Sequence, residues 1–351
     1  MLHCRDRGIG MGRKVTIEDI ARQSNASAAT VSLVLRQKPG ISTETRQRVL
    51  DAAAALGYQR TLPPATAVTT RNIGLILRVR TNPPGQEQMS VNPFYSWVLT
   101  GIDAAAQQQR LNLLYASLRV DEDNRPLDTP EHLLEQPLDG LLLVGAFTEE
   151  VIAQISARCQ TALVLVDAPA RAHRHDAIAT ANETGAYEAT CALLAKGHQQ
   201  IAFVGSRIVA DVNFRQRREG YLRAMRERGL PVHFAGDDEP LATALPKLIG
   251  AEPRITALLG CNDVFAVEAA NVARAQGCQI PHDLSVMGFD DIELGRQMSP
   301  PLTTMAVDKV SMGRLAVQAL IFRITWPDAA PILTTLQPRL LERQSVRQRK
   351  P

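Results

Sequence analysis

The sequence predicts a small all-α head followed by a larger α/β core with parallel sheet. Residues 15–60 contain three short stretches with helical periodicity, whereas from Ile73 onward continuous apolar runs alternate with helical stretches. Strands that are apolar on both faces and separated by helices are typical of parallel sheet in a doubly wound fold. A length of 351 residues suits two or three domains, and 45% hydrophobic with 21% charged residues can fill their cores.

The head carries most of the excess positive charge. Residues 1–60 hold ten Lys/Arg and five Asp/Glu, whereas the remainder holds 29 basic and 31 acidic residues. A basic head on a near-neutral core favours a polyanion as the partner of the head alone.

Cysteine usage and hydropathy limit the compartment and the class of protein. The five cysteines are odd in number and never spaced as CxxC, which indicates free thiols in a reducing compartment and no metal site. No apolar run reaches the roughly 18 residues that cross a bilayer, and no apolar stretch follows Arg5 and Arg7 as in a secretory signal. We therefore expect a cytoplasmic protein without a membrane partner, metal or cofactor, and a flexible arm at residues 1–14.

Three helices are predicted in the head. Thr16 can cap the first with Asp19 in the reciprocal position, Ser27 precedes a second at residues 28–35, and Ser42 precedes a third. The residues spaced for burial are Ile17, Ile20, Ala21, Ala28, Val31, Leu35, Val49, Ala52, Ala53 and Leu56.

Two helices joined by about three residues and braced by a third form the helix-turn-helix layout. In that layout the second helix enters the major groove of double-stranded DNA, while hydroxyls and backbone N–H groups hold phosphates. Ser27, Thr30 and Ser32 supply hydroxyls on the second helix, and Thr16 supplies one at the start of the first. The alternative is a small three-helix bundle in which these residues are only caps.

Four segments of the head occur in a distinctive order: Val15-Thr16-Ile17-Glu18-Asp19-Ile20-Ala21, Ala26-Ser27-Ala28-Ala29-Thr30-Val31-Ser32-Leu33-Val34-Leu35, Ile41-Ser42-Thr43-Glu44-Thr45-Arg46 and Leu56-Gly57-Tyr58. They resemble the lactose/galactose repressor (LacI/GalR) family of bacterial transcription regulators. The resemblance implies a sequence-specific repressor that binds operator DNA through residues 15–60. It places Ala28, Ala29 and Leu33 at base-reading positions. None of these side chains makes a bidentate bond to a base, so we expect methyl contact with thymine and reading of DNA shape.

Residues 61–72 are predicted to be a linker, because Thr, Ala and Pro replace any helical stripe there. Members of the family carry a hinge helix in this place, with a Leu that enters the minor groove. This chain has Pro63-Pro64, is about two residues shorter, and has no Leu within Ala65–Ala67, where that position falls. The formation of a minor-groove helix is therefore left open.

The core pattern predicts seven strands and five helices. The strands are Ile73–Val79, Leu111–Ala116, Gly140–Val144, Ala162–Val166, Ile201–Val204, Thr256–Leu259 and Ser285–Phe289. The helices are Trp97–Arg110, Glu149–Arg158, Ala186–Lys196, Gln216–Glu227 and Val264–Ala275. Ligands of such folds bind beyond the carboxyl ends of the strands.

Four polar residues lie near those strand ends: Asp167, Arg217, Asn262 and Asp290. Carboxylates, an amide and a guanidinium suit a polyhydroxylated, sugar-like ligand. Each residue also has a structural alternative. Asn262 can cap the next helix, and Asp290 can form an Asx turn. Arg217 suits a solvated basic helix face, and Asp167 suits an ordinary loop.

The core resembles the same family in six segments: Asn92-Pro93-Phe94-Tyr95, Gly197-His198-Gln199-Gln200-Ile201-Ala202, Arg217-x-x-Gly220-Tyr221, Cys261-Asn262-Asp263, Gly288-Phe289-Asp290-Asp291 and Pro300-Pro301-Leu302-Thr303-Thr304. The resemblance implies that the four polar residues contact a small-molecule effector, and that Phe94 or Tyr95 lines the opposite wall.

The resemblance also implies a periplasmic-binding-protein-like core of two Rossmann-like lobes, crossed three times by the chain, in a homodimer. Lobe 1 would take about residues 73–180 and 307–326. Lobe 2 would take about residues 181–306 and 327–344, with a tail at 345–351.

Two other classes of function share this type of core. An enzyme acting on sugars or nucleotides is disfavoured because GxGxxG, GxxxxGK[ST], GxSxG and HExxH are absent, and we expect no catalytic residues. A solute-binding protein is disfavoured by the basic head and by the lack of a signal peptide.

Overall fold

The computed structural model describes residues 16–35, 41–56, 71–81, 92–121, 123–168, 174–205, 211–237 and 239–349. It divides into a head unit, residues 1–69, and a core unit, residues 70–351. The predicted arm at residues 1–14 and almost all of the predicted linker lie outside the described residues.

The head forms the three predicted helices, α1 Ile17–Ser24, α2 Ala28–Leu35 and α3 Thr43–Ala55. At α1, the backbone N–H of Asp19 donates to Thr16 Oγ1 (3.3 Å), and the N–H of Thr16 donates back to the Asp19 carboxylate (2.9 Å). Ser27 and Ser42 accept from backbone N–H groups in the first turns of α2 and α3. Side-chain caps therefore begin all three helices, as the sequence predicts.

The small apolar core of the head differs in part from the predicted one. Ile20, Val31, Val34, Val49, Ala52 and Ala53 are buried. Ile17 and Ala28 were expected inside but are exposed, and Val34 is buried instead. Val31 and Val34, three positions apart, set the inner face of α2, and Ala28 lies off it at the start of the helix. The exposure of Ala28 leaves the outer face of α2 small-sided at its beginning.

The core contains two six-stranded sheets. The strands are β1 Asn72–Arg80, β2 Asn112–Val120, β3 Gly140–Val144, β4 Ala162–Val166, β5 Asp176–Thr180, β6 Ile201–Val204, β7 His233–Ala235, β8 Ala257–Gly260, β9 Ser285–Asp290, β10 Thr303–Ala306, β11 Leu333–Leu336 and β12 Arg339–Leu341. The sheet of lobe 1 has the order β11-β5-β4-β3-β1-β2, and the sheet of lobe 2 has the order β12-β10-β9-β8-β6-β7. The two orders are equivalent, and the described pairs are parallel except β10 with β12.

Helices cover both sheets. They are α4 Pro93–Gln108, α5 Glu131–Leu134, α6 Glu149–Cys159, α7 Asn182–Ala195, α8 Val212–Glu227, α9 Leu241–Ile249, α10 Asp263–Ala275, α11 Glu293–Gln297 and α12 Lys309–Thr325. α4 packs against α12 in lobe 1, and α7 packs against α8 in lobe 2. Strands such as β3 and β9 are buried along their whole length, as expected for parallel sheet covered on both faces.

The chain passes between the lobes three times, after β5, after β10 and between β11 and β12. We expected residues 327–344 in lobe 2, but β11 pairs with β5, so residues 333–336 complete the sheet of lobe 1. Without β11, the edge of β5 would carry unpaired backbone groups. The pairing continues past the strand, where Ala181 N–H donates to Leu336 O (2.9 Å). The third crossing therefore lies after residue 336.

The predicted tail at residues 345–351 is largely part of lobe 2. Ser345 is fully buried, accepts a hydrogen bond from the N–H of Thr303 (2.8 Å) and donates to Val286 O (2.5 Å). No helix within the described ranges is long and apolar enough to cross a membrane.

Candidate functional site

A cavity of about 280 Å³ lies between the lobes at the carboxyl ends of their strands. Lobe 1 contributes the end of β1, the start of α4 and the end of β4. Lobe 2 contributes α8, the start of α10 and the end of β9. All six residues predicted for the effector site line it: Phe94, Tyr95, Asp167, Arg217, Asn262 and Asp290.

Arg217 and Asp290 form a buried ion pair on the lobe 2 wall. Arg217 Nη2 lies 2.9 Å from Asp290 Oδ1, and both side chains are almost inaccessible to solvent. Arg217 also donates through Nε to Asn182 Oδ1 (2.7 Å) and through Nη1 to Cys261 O (2.8 Å). Its guanidinium carbon lies 3.8 Å from the centroid of the Phe289 ring. The solvated-face alternative for Arg217 is therefore wrong.

The glycine of the Arg217-x-x-Gly220 motif explains how the arginine reaches the cavity. A Cβ atom at Gly220 would lie 2.1 Å from Glu183 O on α7. Only glycine permits this approach of α8 to α7. The close contact brings Arg217 beside Asn182, the first residue of α7.

Burial governs the charge states of this pair. Burial acts to lower the pKa of Arg217, but the carboxylates of Asp290 and Asp167 raise it above its ordinary value. Burial raises the pKa of Asp290, and Arg217 opposes that rise. Arg217 therefore stays cationic.

Asp167 has a different environment on the lobe 1 wall. It follows β4 with a left-handed backbone (φ 58°) and is buried. Its Oδ2 accepts hydrogen bonds from Tyr95 Oη (3.0 Å) and Asn213 Nδ2 (3.1 Å), whereas Oδ1 has no hydrogen-bond partner among the described residues. Burial is the main reason that the pKa of Asp167 rises to about 7.

Asn262 caps a helix and also lines the cavity. Its Oδ1 accepts from the N–H of Phe265 (3.0 Å), which caps α10 as the structural alternative requires. Its Nδ2 donates to no residue in the described part of the chain, and the residue lines the cavity.

The acidic neighbours Asp263 and Asp291 serve lobe 2 itself. Asp263 accepts from Thr304 Oγ1 (2.6 Å) and from the N–H of Ile292 (2.8 Å). Asp291 forms ion pairs with Arg296 and Arg343, both at 2.6 Å. Both carboxylates therefore hold the loop after β9 in place.

Four polar residues of the cavity were missed by sequence reasoning: Arg78, Arg80, Asp211 and Asn213. Arg78 on β1 donates through Nη2 to Asp211 Oδ2 (3.0 Å) and through Nη1 to Asn124 (2.9 Å). Asn213, on the first turn of α8, donates to Asp167 O (2.8 Å) as well as to its carboxylate. The bonds of Arg78 with Asp211 and of Asn213 with Asp167 join the two lobes across the cavity, whereas the bond to Asn124 lies within lobe 1. The available sequence signal for Arg78 was its position as an arginine inside the apolar run Ile73–Val79.

Aromatic side chains supply apolar walls. Phe94 and Tyr95 meet edge to face with ring centroids 5.3 Å apart, and Phe214 and Phe265 meet in the same way at 6.1 Å. The cavity thus combines apolar faces with a few fixed polar groups, as small-molecule sites do.

The outer surface of the head carries the predicted DNA-contact residues. Thr16, Ser27, Ala28 and Leu33 are exposed, and Thr30 and Ser32 are half-buried. Ser27 Oγ lies 2.8 Å from Thr30 Oγ1 and caps α2, so part of its hydrogen-bonding capacity is used within the helix. The side chain of Ala29 lies outside the described residues.

Comparison with known proteins decides the family. Residues 16–61 match the model for bacterial regulatory proteins of the lacI family, and residues 190–346 match that for periplasmic binding protein-like domains. The ribose operon repressor of Haemophilus influenzae is 32% identical over 344 residues, which cover 94% of this chain and 98% of that protein. The chain belongs to the LacI family. The transcriptional repressor PurR of Aliivibrio fischeri strain MJ11 is 31% identical, over 94% of this chain and 98% of its own.

Solved structures of LacI-family proteins share the fold. The lac repressor dimer bound to operator and the anti-inducer ONPF has a TM-score of 0.66 at 22% identity, and covers 95% of this chain and 100% of its own. A LacI-family regulator from Enterococcus faecium with bound ribose has a TM-score of 0.64 at 22% identity, and covers 80% of this chain and 100% of its own. The predicted fold and the predicted class, a DNA-binding transcriptional repressor with a ligand-binding core, are confirmed.

Proposed function

We propose that this LacI-family protein is a cytoplasmic homodimeric repressor whose operator affinity is set by a sugar-like effector in the cavity between the lobes. The observation that supports the effector class best is the set of unused hydrogen-bonding groups on the cavity walls. Asp167 Oδ1 accepts from no described residue, and Asn262 Nδ2 donates to none. A site with both an open acceptor and an open donor suits hydroxyl groups, because each hydroxyl donates and accepts.

The size and the walls of the cavity suit a ligand with one ring. The volume of about 280 Å³ lies near the lower end of the roughly 300–1,000 Å³ typical of small-molecule sites. The aromatic side chains of Phe94, Phe214 and Phe265 offer apolar faces for the C–H side of a sugar ring. We propose that Arg217 and Asp290 bind neighbouring hydroxyls on the other side, with Tyr95 holding Asp167 toward them.

For the head, we propose that α2 enters the major groove. Ser27, Thr30 and Ser32, with Thr16 of α1, would contact phosphates, while Ala28, Ala29 and Leu33 would contact base edges. Two heads from a homodimer would bind two operator half-sites about one helical turn apart. The effector acts through its differential affinity for the two states, typically a coupling of about 1–3 kcal/mol.

The experiment measures DNA binding and effector coupling together. The purified chain selects its operator from random duplexes, and fluorescence anisotropy then follows operator affinity with and without D-ribose, D-xylose, D-glucose and hypoxanthine. We expect one of the sugars to change affinity by about 5-fold to 150-fold. A response to hypoxanthine alone would indicate that the effector is a purine base and not a sugar. Selection of no duplex would overturn the proposed function.

The same samples test whether the cavity only binds. We propose that the protein is not an enzyme, and expect mass spectrometry to recover each sugar unchanged after long incubation with the chain. Chemical conversion of a sugar that depends on the protein would contradict this proposal.

Leu33→Ala tests the base-reading assignment. Leu33 is 41% exposed, so its truncation should leave the thermal stability of the head nearly unchanged. Loss of methyl contact should weaken operator binding, by less than the roughly 1–3 kcal/mol that a bidentate contact to a base contributes. Leu294→Ala, at a leucine of lobe 2 that is 43% exposed, is the matched control and should leave DNA affinity unchanged. Equal affinities of the two variants for operator would contradict the assignment.

A further inference from the structure

The strand that presents Asp290 ends in an unusual backbone conformation. Asp290 and Asp291 are consecutive non-glycine residues with left-handed φ angles, 110° and 57°. Side chains rarely adopt this region, so the surrounding structure has to hold it. The conformation turns the Asp290 carboxylate toward Arg217, while Asp291 points to Arg296 and Arg343.

Lys309 lies directly behind this turn. Its ammonium group donates to the backbone carbonyls of Asp290, Asp291 and Val307, the last two at 3.2 Å. These three bonds match the three N–H donors of a lysine, and Lys309 is only 7% exposed. Both carbonyls of the left-handed pair are thus held by one side chain.

A lysine at this position is energetically unfavourable. Lys309 is the first residue of α12, where the helix dipole disfavours a cation, and burial lowers the pKa of its ammonium group. An apolar residue would avoid both costs. The three hydrogen bonds of Lys309 to backbone carbonyls therefore have to offset both costs.

The placement of Lys309 joins lobe 1 to the effector wall of lobe 2. α12 packs against α4 and the strands of lobe 1, whereas the carbonyls that Lys309 holds belong to the end of β9. Its Nζ also lies 5.8 Å from the ring centroid of Phe94, on the lobe 1 wall of the cavity.

The other crossover helix shows a comparable arrangement. Asn182 is the first residue of α7, just after the crossing from β5, and its Oδ1 accepts from Arg217 Nε (2.7 Å). The first residue of each crossover helix therefore contacts one member of the Arg217–Asp290 pair. A movement of the lobes at the crossings would pull on both contacts.

We propose that Lys309 is a positioning residue for the effector site, which fixes the left-handed end of β9 so that Asp290 faces Arg217 and ties this geometry to the orientation of lobe 1. The inference rests on the proposed function of the cavity as the effector site.

The test compares Lys309→Met, Lys309→Gln and Lys196→Met in the full-length chain by hydrogen–deuterium exchange. Met removes all three donors but packs well, whereas Gln keeps two N–H donors without a charge. Lys196 forms an ion pair with Glu342 (2.9 Å) and is not part of the contacts to β9. Its replacement controls for the loss of a positive charge. We expect about tenfold faster exchange at residues 290–292 in Lys309→Met, a smaller increase in Lys309→Gln and none in Lys196→Met.

A role in packing alone predicts the opposite order, because a buried neutral amide packs less well than Met. Equal or greater exchange in Lys309→Gln, or unchanged exchange in Lys309→Met, would overturn the inference. Calorimetric titration of D-ribose into the same variants is the second readout, with affinity expected to fall about tenfold in Lys309→Met where the wild-type chain binds. A wild-type chain that binds no member of the sugar and purine panel overturns the proposed function instead, and exchange alone then decides the inference.

Discussion

Asp167 and Asp290 occupy equivalent positions in the two lobes but have different partners. Asp167 directly follows β4 and Asp290 is the last residue of β9, the equivalent strand of the other sheet, and both have a left-handed backbone. Tyr95 on α4, the helix after β1, donates a hydrogen bond to Asp167. Arg217 on α8, the helix after β6, forms the ion pair with Asp290. Lobe 1 therefore uses a neutral phenol where lobe 2 uses a guanidinium.

The facing helix, and not the strand end, decides which group each carboxylate contacts. Burial raises the pKa of both aspartates, and Arg217 opposes the rise at both, but it contacts only Asp290 directly, at 2.9 Å. Asp167 has neutral donors as its hydrogen-bond partners, and its pKa reaches about 7. Lobe 2 thus presents a carboxylate paired with a guanidinium, and lobe 1 presents a carboxylate with neutral hydrogen-bond partners and a pKa of about 7.

Arg217→Met should have the largest effect on stability, because it removes the cation of the ion pair in lobe 2. Removal of one partner leaves Asp290 buried without a counterion, which costs about 3–5 kcal/mol of stability. Urea denaturation at pH 7.5 measures the loss. Arg223→Ala, on the same helix with an exposed partner in Glu183, should cost less than about 1 kcal/mol. Similar losses in the two variants would show that the Arg217 pair contributes no more than a surface pair.

Asp167→Asn should change how stability depends on pH. The pKa of about 7 lies above the ordinary value of 3.8, so the folded chain binds more protons than the unfolded chain between these values. Stability is therefore highest at low pH in this window and falls as the pH rises toward 7. We expect the wild-type chain to lose roughly 2 kcal/mol more than Asp167→Asn between pH 5 and pH 8.

Some pH dependence should remain in Asp167→Asn, because burial also raises the pKa of Asp263 to about 7. Asp103→Asn, at an exposed residue of α4, serves as control and should keep the wild-type slope. Urea denaturation at several pH values gives the slopes. A steeper slope in Asp167→Asn than in the wild-type chain would contradict the assignment.

Tyr95→Phe should have the smallest effect on stability of the three variants. It removes the hydroxyl that donates to Asp167 at 3.0 Å without changing the ring. We expect a loss of about 1 kcal/mol at pH 5 and about 2 kcal/mol at pH 8, where the carboxylate is ionised and the hydrogen bond is stronger. Tyr115→Phe, on the exposed edge strand β2, should be neutral at both pH values. A loss that does not vary with pH would contradict this account.

Much of the fold was predictable because its signals are local. Caps begin the three head helices, and long apolar runs mark strands such as β1, β3 and β4. Among the strands that the sequence pattern missed are β5, β7 and β10. β7 has three residues and β10 contains two threonines, and both are strands because neighbouring strands supply their hydrogen bonds. β11 was assigned to the wrong lobe, since its partner β5 lies more than 150 residues earlier.

The candidate site was predictable where it depends on strand ends. Arg217, Asn262 and Asp290 follow from that rule together with the family resemblance. The contacts of Arg78 with Asp211, and of Asn213 with Asp167, depend on how closely the two lobes approach. No local pattern encodes that approach, so sequence reasoning did not find these residues.

The last two strands have a consequence for biosynthesis. β11 and β12 lie within residues 333–341, and each supplies the edge of a different sheet. Neither sheet can be completed until residues 333–341 have been synthesised, long after the strands that they pair with. Each lobe therefore has a distant strand to bring back before its sheet is closed, and its sheet edge stays incomplete until then.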